Sequence, residues 1–311
     1  MDRLLAVREV VKHFSTATGI LRAVDGVSFN VKRGAITGLL GRNGAGKTTI
    51  IRMITGIFLP DRGTIEAPPR DRIGYLPEER GLYKHMRIHD HLVFLAEIKG
   101  RRGAKVKTEA ERWLRRLELW DRRDTKIEEL SKGNQQKVQL IGALVHAPEL
   151  VILDEPMSGL DPVNVVLVRR ILGELKAEGR SILLSTHMMS LAESMADDVI
   201  LMNEGKIVLE GDLDTVRASQ GRNTVHLEFD GDGTFLTHAK GVARAQLQNN
   251  VAEIVLAPDG DAQALLAACI GRIRVRKFEV ATPSLETIFV SHVGTESMRP
   301  AALALEEEGA P

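Results

Sequence analysis

Apolar and polar residues alternate along 5–11 and again along 24–31, a period of two that predicts a pair of half-buried strands. Turn residues Thr18-Gly19 lie between them and Arg33-Gly34 after them. Residues 35–40 (Ala-Ile-Thr-Gly-Leu-Leu) lose the alternation and read as a strand buried on both faces. A glycine-rich turn, 41–46, follows at once, and a helix runs from 47 to about 55 with Gly56 as its stop. Polar residues 60–72 lead into a short strand at 73–75. Ile88, Leu92, Leu95 and Ile98 then recur at helical spacing as far as Gly100. A basic loop (Arg101, Arg102, Lys105, Lys107) precedes a second helix with Trp113, Leu114 and Leu117. From Leu130 the pattern predicts a turn, a helix at 135–145, a strand at 150–153, a helix at 163–176 and a strand at 181–185. A short helix at 191–195 and strands at 199–202 and 206–209 close the unit. Strands alternating with helices predict an α/β domain with a largely parallel sheet.

Composition shifts after Gly221. A strand at 224–229, a hairpin of 242–248 with 251–256 across Asn249-Asn250, an Ala/Leu helix at 261–268, a strand at 272–280 and a helix at 283–290 predict a small α+β domain. The expected organisation is a first domain over 1–218 with a helical part at about 84–145, a second over 222–293, and a loose tail over 294–311 that carries Glu306-Glu307-Glu308.

Charge narrows the function. Lys plus Arg and Asp plus Glu both number 42, so the net charge is zero and the basic excess of an autonomous nucleic-acid binder is missing. Cys269 is the single cysteine, which excludes an internal disulfide and a multi-cysteine metal site. The longest greasy stretch, 140–153, is interrupted by His146, Pro148 and Glu149, well short of a membrane-spanning run. With no apolar signal core near its start, the chain is expected in the cytoplasm, held at a membrane only by another subunit.

The chemistry sits in two places. Gly41-Arg42-Asn43-Gly44-Ala45-Gly46-Lys47-Thr48 fits G-x-x-x-x-G-K-[ST], the Walker A phosphate loop, between a buried strand and a helix. Its glycines let successive N–H groups turn inward, the helix dipole adds positive potential, Lys47 reaches the outer phosphates and the Thr48 hydroxyl suits Mg²⁺. Residues 150–155 (Leu-Val-Ile-Leu-Asp-Glu) read as a central strand delivering acids to its C-terminal end. Asp154 is then a candidate to hold Mg²⁺ and Glu155 to polarise an attacking water. ATP or GTP with Mg²⁺ is the expected ligand.

Three further motifs select among phosphate-loop proteins: Leu130-Ser131-Lys132-Gly133-Asn134-Gln135 before the acidic strand, Ser158-Gly159-Leu160-Asp161 after it, and Ser185-Thr186-His187 ending the next strand. In this order the motifs resemble the ATP-binding subunit of ABC transporters, over roughly residues 3–215. The resemblance implies an ABC-type cassette with an N-terminal antiparallel β subdomain and a helical subdomain. It also implies a signature sequence at 130–135, in which Ser131, Gly133 and Asn134 grip the γ-phosphate of nucleotide on a second copy. Asp161 would belong to the D-loop and His187 would be the switch histidine that hydrogen-bonds the γ-phosphate. Gly41, Asn43, Gly44, Ala45, Gly46, Lys47, Thr48 and Thr49 would wrap the phosphates. Phe14 aligns with the aromatic on which adenine stacks in that family, with core packing as its alternative role.

Three positions depart from the family pattern, two of them in the signature, where Asn134 keeps an amide on a shorter arm than the usual glutamine. Lys132 replaces the usual glycine of the signature, while Ser131 and Gly133 remain. Glu78, after Ile73-Gly74-Tyr75-Leu76-Pro77, stands where the family has a glutamine that touches Mg²⁺; a carboxylate ligates the metal and donates no hydrogen bond. The stretch 73–83 and the ending Pro283-Ser284-Leu285-Glu286-Thr287-Ile288-Phe289 are similar to a subgroup of bacterial exporters of sodium or hydrophobic compounds. The implied partners are a separate multi-helix membrane permease and a second copy of the chain, with no nucleic acid. The alternatives are an ABC-type ATPase of DNA repair or chromosome handling, against which the short 49–130 segment speaks, and an ATP-gated interaction module. His85, His89 and His91 are expected on a solvated or partner-facing surface rather than at a metal.

Overall fold

A computed structural model of the chain describes residues 3–293 apart from 18, 80, 220–223, 258 and 282. The tail expected at 294–311 lies outside the described residues. The chain divides into two compact units, Met1–Asp212 and Leu213–Pro311.

In the first unit β1 (Arg3–Thr16) and β2 (Gly19–Lys32) pair antiparallel. The chain continues through β3 (Ile36–Leu40), α1 (Lys47–Ile54), β4 (Arg62–Glu66) and β5 (Ile73–Leu76). Three helices follow: α2 (Ile88–Ile98), α3 (Ala104–Arg116) and α4 (Lys132–Leu144). Then come β6 (Leu150–Asp154), α5 (Pro162–Ala177), β7 (Ser181–Thr186), α6 (Met189–Glu193), β8 (Asp198–Asn203) and β9 (Lys206–Asp212). One sheet has the order β2-β1-β4 and the other β5-β6-β7-β3-β8-β9. Within the larger sheet β5, β6, β7, β3 and β8 run parallel and β9 closes it antiparallel.

That parallel order positions the chemistry. Asp154 lies opposite Ser185, and Leu40 opposite Thr186, so the ends of β6, β7 and β3 form one edge from which the phosphate loop, the acids and His187 emerge. The central strands β3, β6 and β7 are buried along their whole length because both faces are covered. Val151 and Leu153 of β6 pack toward the helical side, with Leu92, Leu114 and Ile141, while Leu150 and Ile152 pack toward the β1–β2 side, with Val10, Val27 and Ile51.

Several boundaries move for physical reasons. Lys105 and Lys107, read as loop, lie in α3. Helix α4 begins at Lys132, three residues before the expected start, because the Ser131 hydroxyl caps it by accepting from the Asn134 N–H at 3.3 Å. His91 is not on a solvated or partner-facing surface: it is fully buried on α2, its ring 5.8 Å from that of Tyr83. Burial, which disfavours the charged form, pushes its pKa down to about 4. His85 is exposed beside Glu128, and His89 lies near Asp90. Among the described residues no group of three or more potential ligands stands ready for a metal.

The second unit starts at α7 (Leu213–Ser219), earlier than the composition shift suggests. Leu213 and Val216 are buried, and Arg217 donates to the Pro283 carbonyl at 3.4 Å, tying the helix to this unit. Its strands β10 (Thr224–Asp230), β11 (Val242–Gln248) and β12 (Val251–Leu256) are followed by α8 (Ala262–Cys269), β13 (Arg274–Ala281) and α9 (Leu285–Val293). The antiparallel sheet β11-β12-β10-β13 covers a core of Leu227, Phe229, Ile254 and Leu265. At the start of α9 the Ser284 hydroxyl donates to Glu253 at 3.0 Å and accepts from the Thr287 N–H at 3.1 Å, closing the cap onto β12.

Candidate active site

The loop between β3 and α1 is built by backbone conformation. Gly41 and Gly46 have φ of +151° and +102°. A Cβ at Gly41 would collide with the Met202 carbonyl and one at Gly46 with the Ala23 carbonyl. The turn after β8 supports the loop from behind, with the Gly205 N–H donating to the Ala45 carbonyl at 3.1 Å. Lys47 is buried and its ammonium donates to the carbonyls of Gly41 at 2.6 Å and Arg42 at 3.1 Å. Burial lowers its pKa, opposed by the charges of Glu155, Asp154 and Glu78.

Those carboxylates share its cleft, a cavity of about 600 Å³. The walls bring together Phe14, Asn43, Gly44, Ala45, Gly46, Lys47, Thr48, Thr49, Glu78, Asp154 and Glu155 from the sequence reading. Leu21, Arg22, Ala23 and Glu204 also line it and were not singled out; nothing in a β1–β2 alternation or an Asn-Glu-Gly turn marks them. Phe14 stands half-exposed at one end, edge-on to Phe58 with ring centroids 5.7 Å apart. At the other end the Thr48 hydroxyl donates to Asp154 Oδ2 at 2.9 Å, while Asp154 Oδ1 is buried with no hydrogen-bond partner. A free buried carboxylate oxygen beside a hydroxyl and a second carboxylate is an all-oxygen donor set that suits Mg²⁺.

Glu155 is held from three directions. Its backbone is left-handed (φ +49°) and its N–H donates to the Ser185 carbonyl at 2.9 Å. Oε1 meets the His187 N–H at 2.9 Å and His187 Nδ1 at 2.7 Å, and Oε2 accepts from the Thr186 hydroxyl at 3.1 Å. The motif Ser-Thr-His singled out only the histidine, and Thr186 was missed because its partner lies 31 residues away.

Ser131, Gly133, Asn134 and Asp161 do not line this cleft. Ser131 caps α4, and Asp161 caps α5 by accepting from the Asn164 N–H at 2.9 Å, a bond that holds its carboxyl below the usual range. The two caps are neighbours, since a Cβ on Gly133 would lie 3.8 Å from the Asn164 amide nitrogen. His187 points at Glu155 and is also outside the walls of the cleft.

A protein-family model described as ABC transporter matches residues 24–158, and one described as ATP-binding protein DrrA1-3-like, C-terminal domain, matches 211–293. The ABC transporter ATP-binding protein YhaQ of Bacillus subtilis is 40% identical over 291 residues, covering 91% of this chain and 98% of that one. The chain belongs to the ABC transporter ATP-binding proteins. It is an ATP-binding and ATP-hydrolysing subunit of an ABC transporter. The Nod factor export ATP-binding protein I of Paraburkholderia xenovorans is 37% identical over 207 residues, 63% of this ABC chain and 68% of that one. Among solved structures, an ATP-binding subunit of an ABC transporter shares 33% identity with a TM-score of 0.65, covering 70% of this chain and 93% of that chain. The ABC cassette therefore accounts for the first unit, and the second carries the DrrA-like fold. Among the described residues of this ABC subunit no helix is long and apolar enough to cross a membrane.

Proposed function

We propose that two copies of this subunit close head to tail around two ATP molecules and that this closure drives an exporter permease in the membrane. The observation that carries the reading is the separation of two half-sites on one chain. Lys47, Thr48 and Glu155 line the cleft, whereas Ser131, Gly133 and Asp161 stand at helix N-termini outside it. Helix N-termini attract phosphate oxygens, so the signature end of one copy complements the phosphate end of another. The similarity to an export ATP-binding protein supports the outward direction, and the DrrA-like second unit accompanies it.

Each residue then has a task. Phe14 offers a face for adenine, and the N–H groups of 43–49 with the Lys47 ammonium take the phosphates. Thr48, Asp154 and Glu78 would hold Mg²⁺, which supplies neutralisation of phosphate charge. Glu155 takes the proton of the attacking water. It does so once Oε1 is released from His187, whose imidazole then donates to the γ-phosphate of bound ATP. Opening and closing of the pair is a two-state element that ATP biases and a permease reads.

Gel filtration of Glu155→Gln tests the pairing. ATP with Mg²⁺ is expected to move this variant from monomer to dimer, and Ser131→Arg in the same background is expected to keep it monomeric. A variant that stays monomeric at saturating ATP, or a dimer indifferent to Ser131→Arg, contradicts the head-to-tail reading.

A further inference from the structure

Helix α4 starts at the Ser131 cap and two turns later carries Gln139, which is buried. Its side-chain amide donates to the Pro77 carbonyl at 2.9 Å and to the Glu79 carbonyl at 3.2 Å. These are the carbonyls on either side of Glu78. Among the described residues no backbone–backbone hydrogen bond outside the sheet ladders holds 77–79, so the amide is what fastens this loop. The other end of the side chain shows that the position is not chosen for packing. Gln139 Oε1 is buried without a partner, and the residue faces a cavity of about 250 Å³ lined by Leu82, Leu95 and Ala143. An apolar side chain of the same length would fill that wall without burying an unsatisfied amide oxygen. What the glutamine brings, and an apolar residue of its length does not, is two donors on one nitrogen, spent on both sides of the same residue.

Glu78 in turn lines the cleft with Thr48 and Asp154, and its charge acts on Lys47. We infer that Gln139 is a positioning residue for Glu78: it holds the Glu78 carboxylate on the metal side of the nucleotide cleft and ties it to the helix that begins at the signature serine. This rests on the reading of Glu78 as a metal-side residue. Where the family carries a glutamine in the loop itself, this chain has a carboxylate there and a glutamine behind it.

The test is a binding measurement on the purified full chain. A fluorescent ATP analogue is titrated with and without Mg²⁺, and the ratio of the two dissociation constants gives the metal's contribution. Gln139→Met is expected to cut that ratio about fivefold while leaving the metal-free constant within about twofold. Glu78→Ala is expected to cut it at least as far, and the double variant no further than Glu78→Ala alone, the non-additivity of residues that act as one unit. Gln139→Met leaving the ratio unchanged overturns the inference, as does a full additional loss on top of Glu78→Ala. If Glu78→Ala alone leaves the ratio unchanged, the metal-side reading of Glu78 fails, and the inference fails with it. Melting curves by circular dichroism check the fold, and Gln139→Ala replaces a methionine variant that does not fold.

Discussion

Glu155→Gln is expected to lower ATP turnover by about 10²-fold or more and to leave ATP affinity within about twofold, because it removes the proposed general base and little else. The amide is the same size as the carboxylate, and one amide oxygen still accepts from the His187 N–H or the Thr186 hydroxyl, so the buried site keeps its shape. What is lost is the ability to take a proton from water at the edge shared by β6 and β7. Steady-state phosphate release read beside a calorimetric ATP titration separates the two effects. Near-normal turnover in this variant would falsify the assignment of Glu155 as the base.

Lys47→Ala is expected to raise the dissociation constant for Mg·ATP by about 10²-fold, close to 3 kcal/mol, the scale of truncating one partner of a desolvated charge pair. The ammonium is buried among three carboxylates that oppose the effect of burial and favour its charged form. Phosphate oxygens would take over donors now spent on the Gly41 and Arg42 carbonyls. Calorimetry on the variant measures the loss, and a melting curve shows whether the loop has collapsed. An unchanged dissociation constant in a folded variant contradicts the phosphate role of Lys47.

What a sequence displays is what is local. The phosphate loop announces itself because Gly41 to Thr48 is one uninterrupted turn between a strand and a helix, and Asp154 because an apolar strand must end somewhere. The hairpin at Asn249-Asn250 was legible for the same reason: β11 and β12 pair across it with Gln248 opposite Val251. Contacts between distant segments left no such trace. Thr186 bonds a residue 31 positions away and Gln139 one 62 positions away, and in the sequence both look like ordinary polar residues. His91 was misread because the resemblance places the segment of His85, His89 and His91, next to the Glu78 loop, against the membrane subunit, whereas the helical phase turns His91 inward beside Ile88 and Leu92. The start of the second unit at α7 escaped because the tie through Arg217 to Pro283 joins residues 66 apart.

The central claim is that hydrolysis belongs to a pair of chains, and the measurement that meets it most directly is ATP turnover per chain as a function of chain concentration. Turnover per chain that climbs with concentration to a plateau is the predicted result, with the Glu155→Gln protein flat at background across the same range. Turnover per chain that is constant down to the lowest concentrations, in samples shown to be monomeric by light scattering, contradicts it: one chain would then hold a complete site.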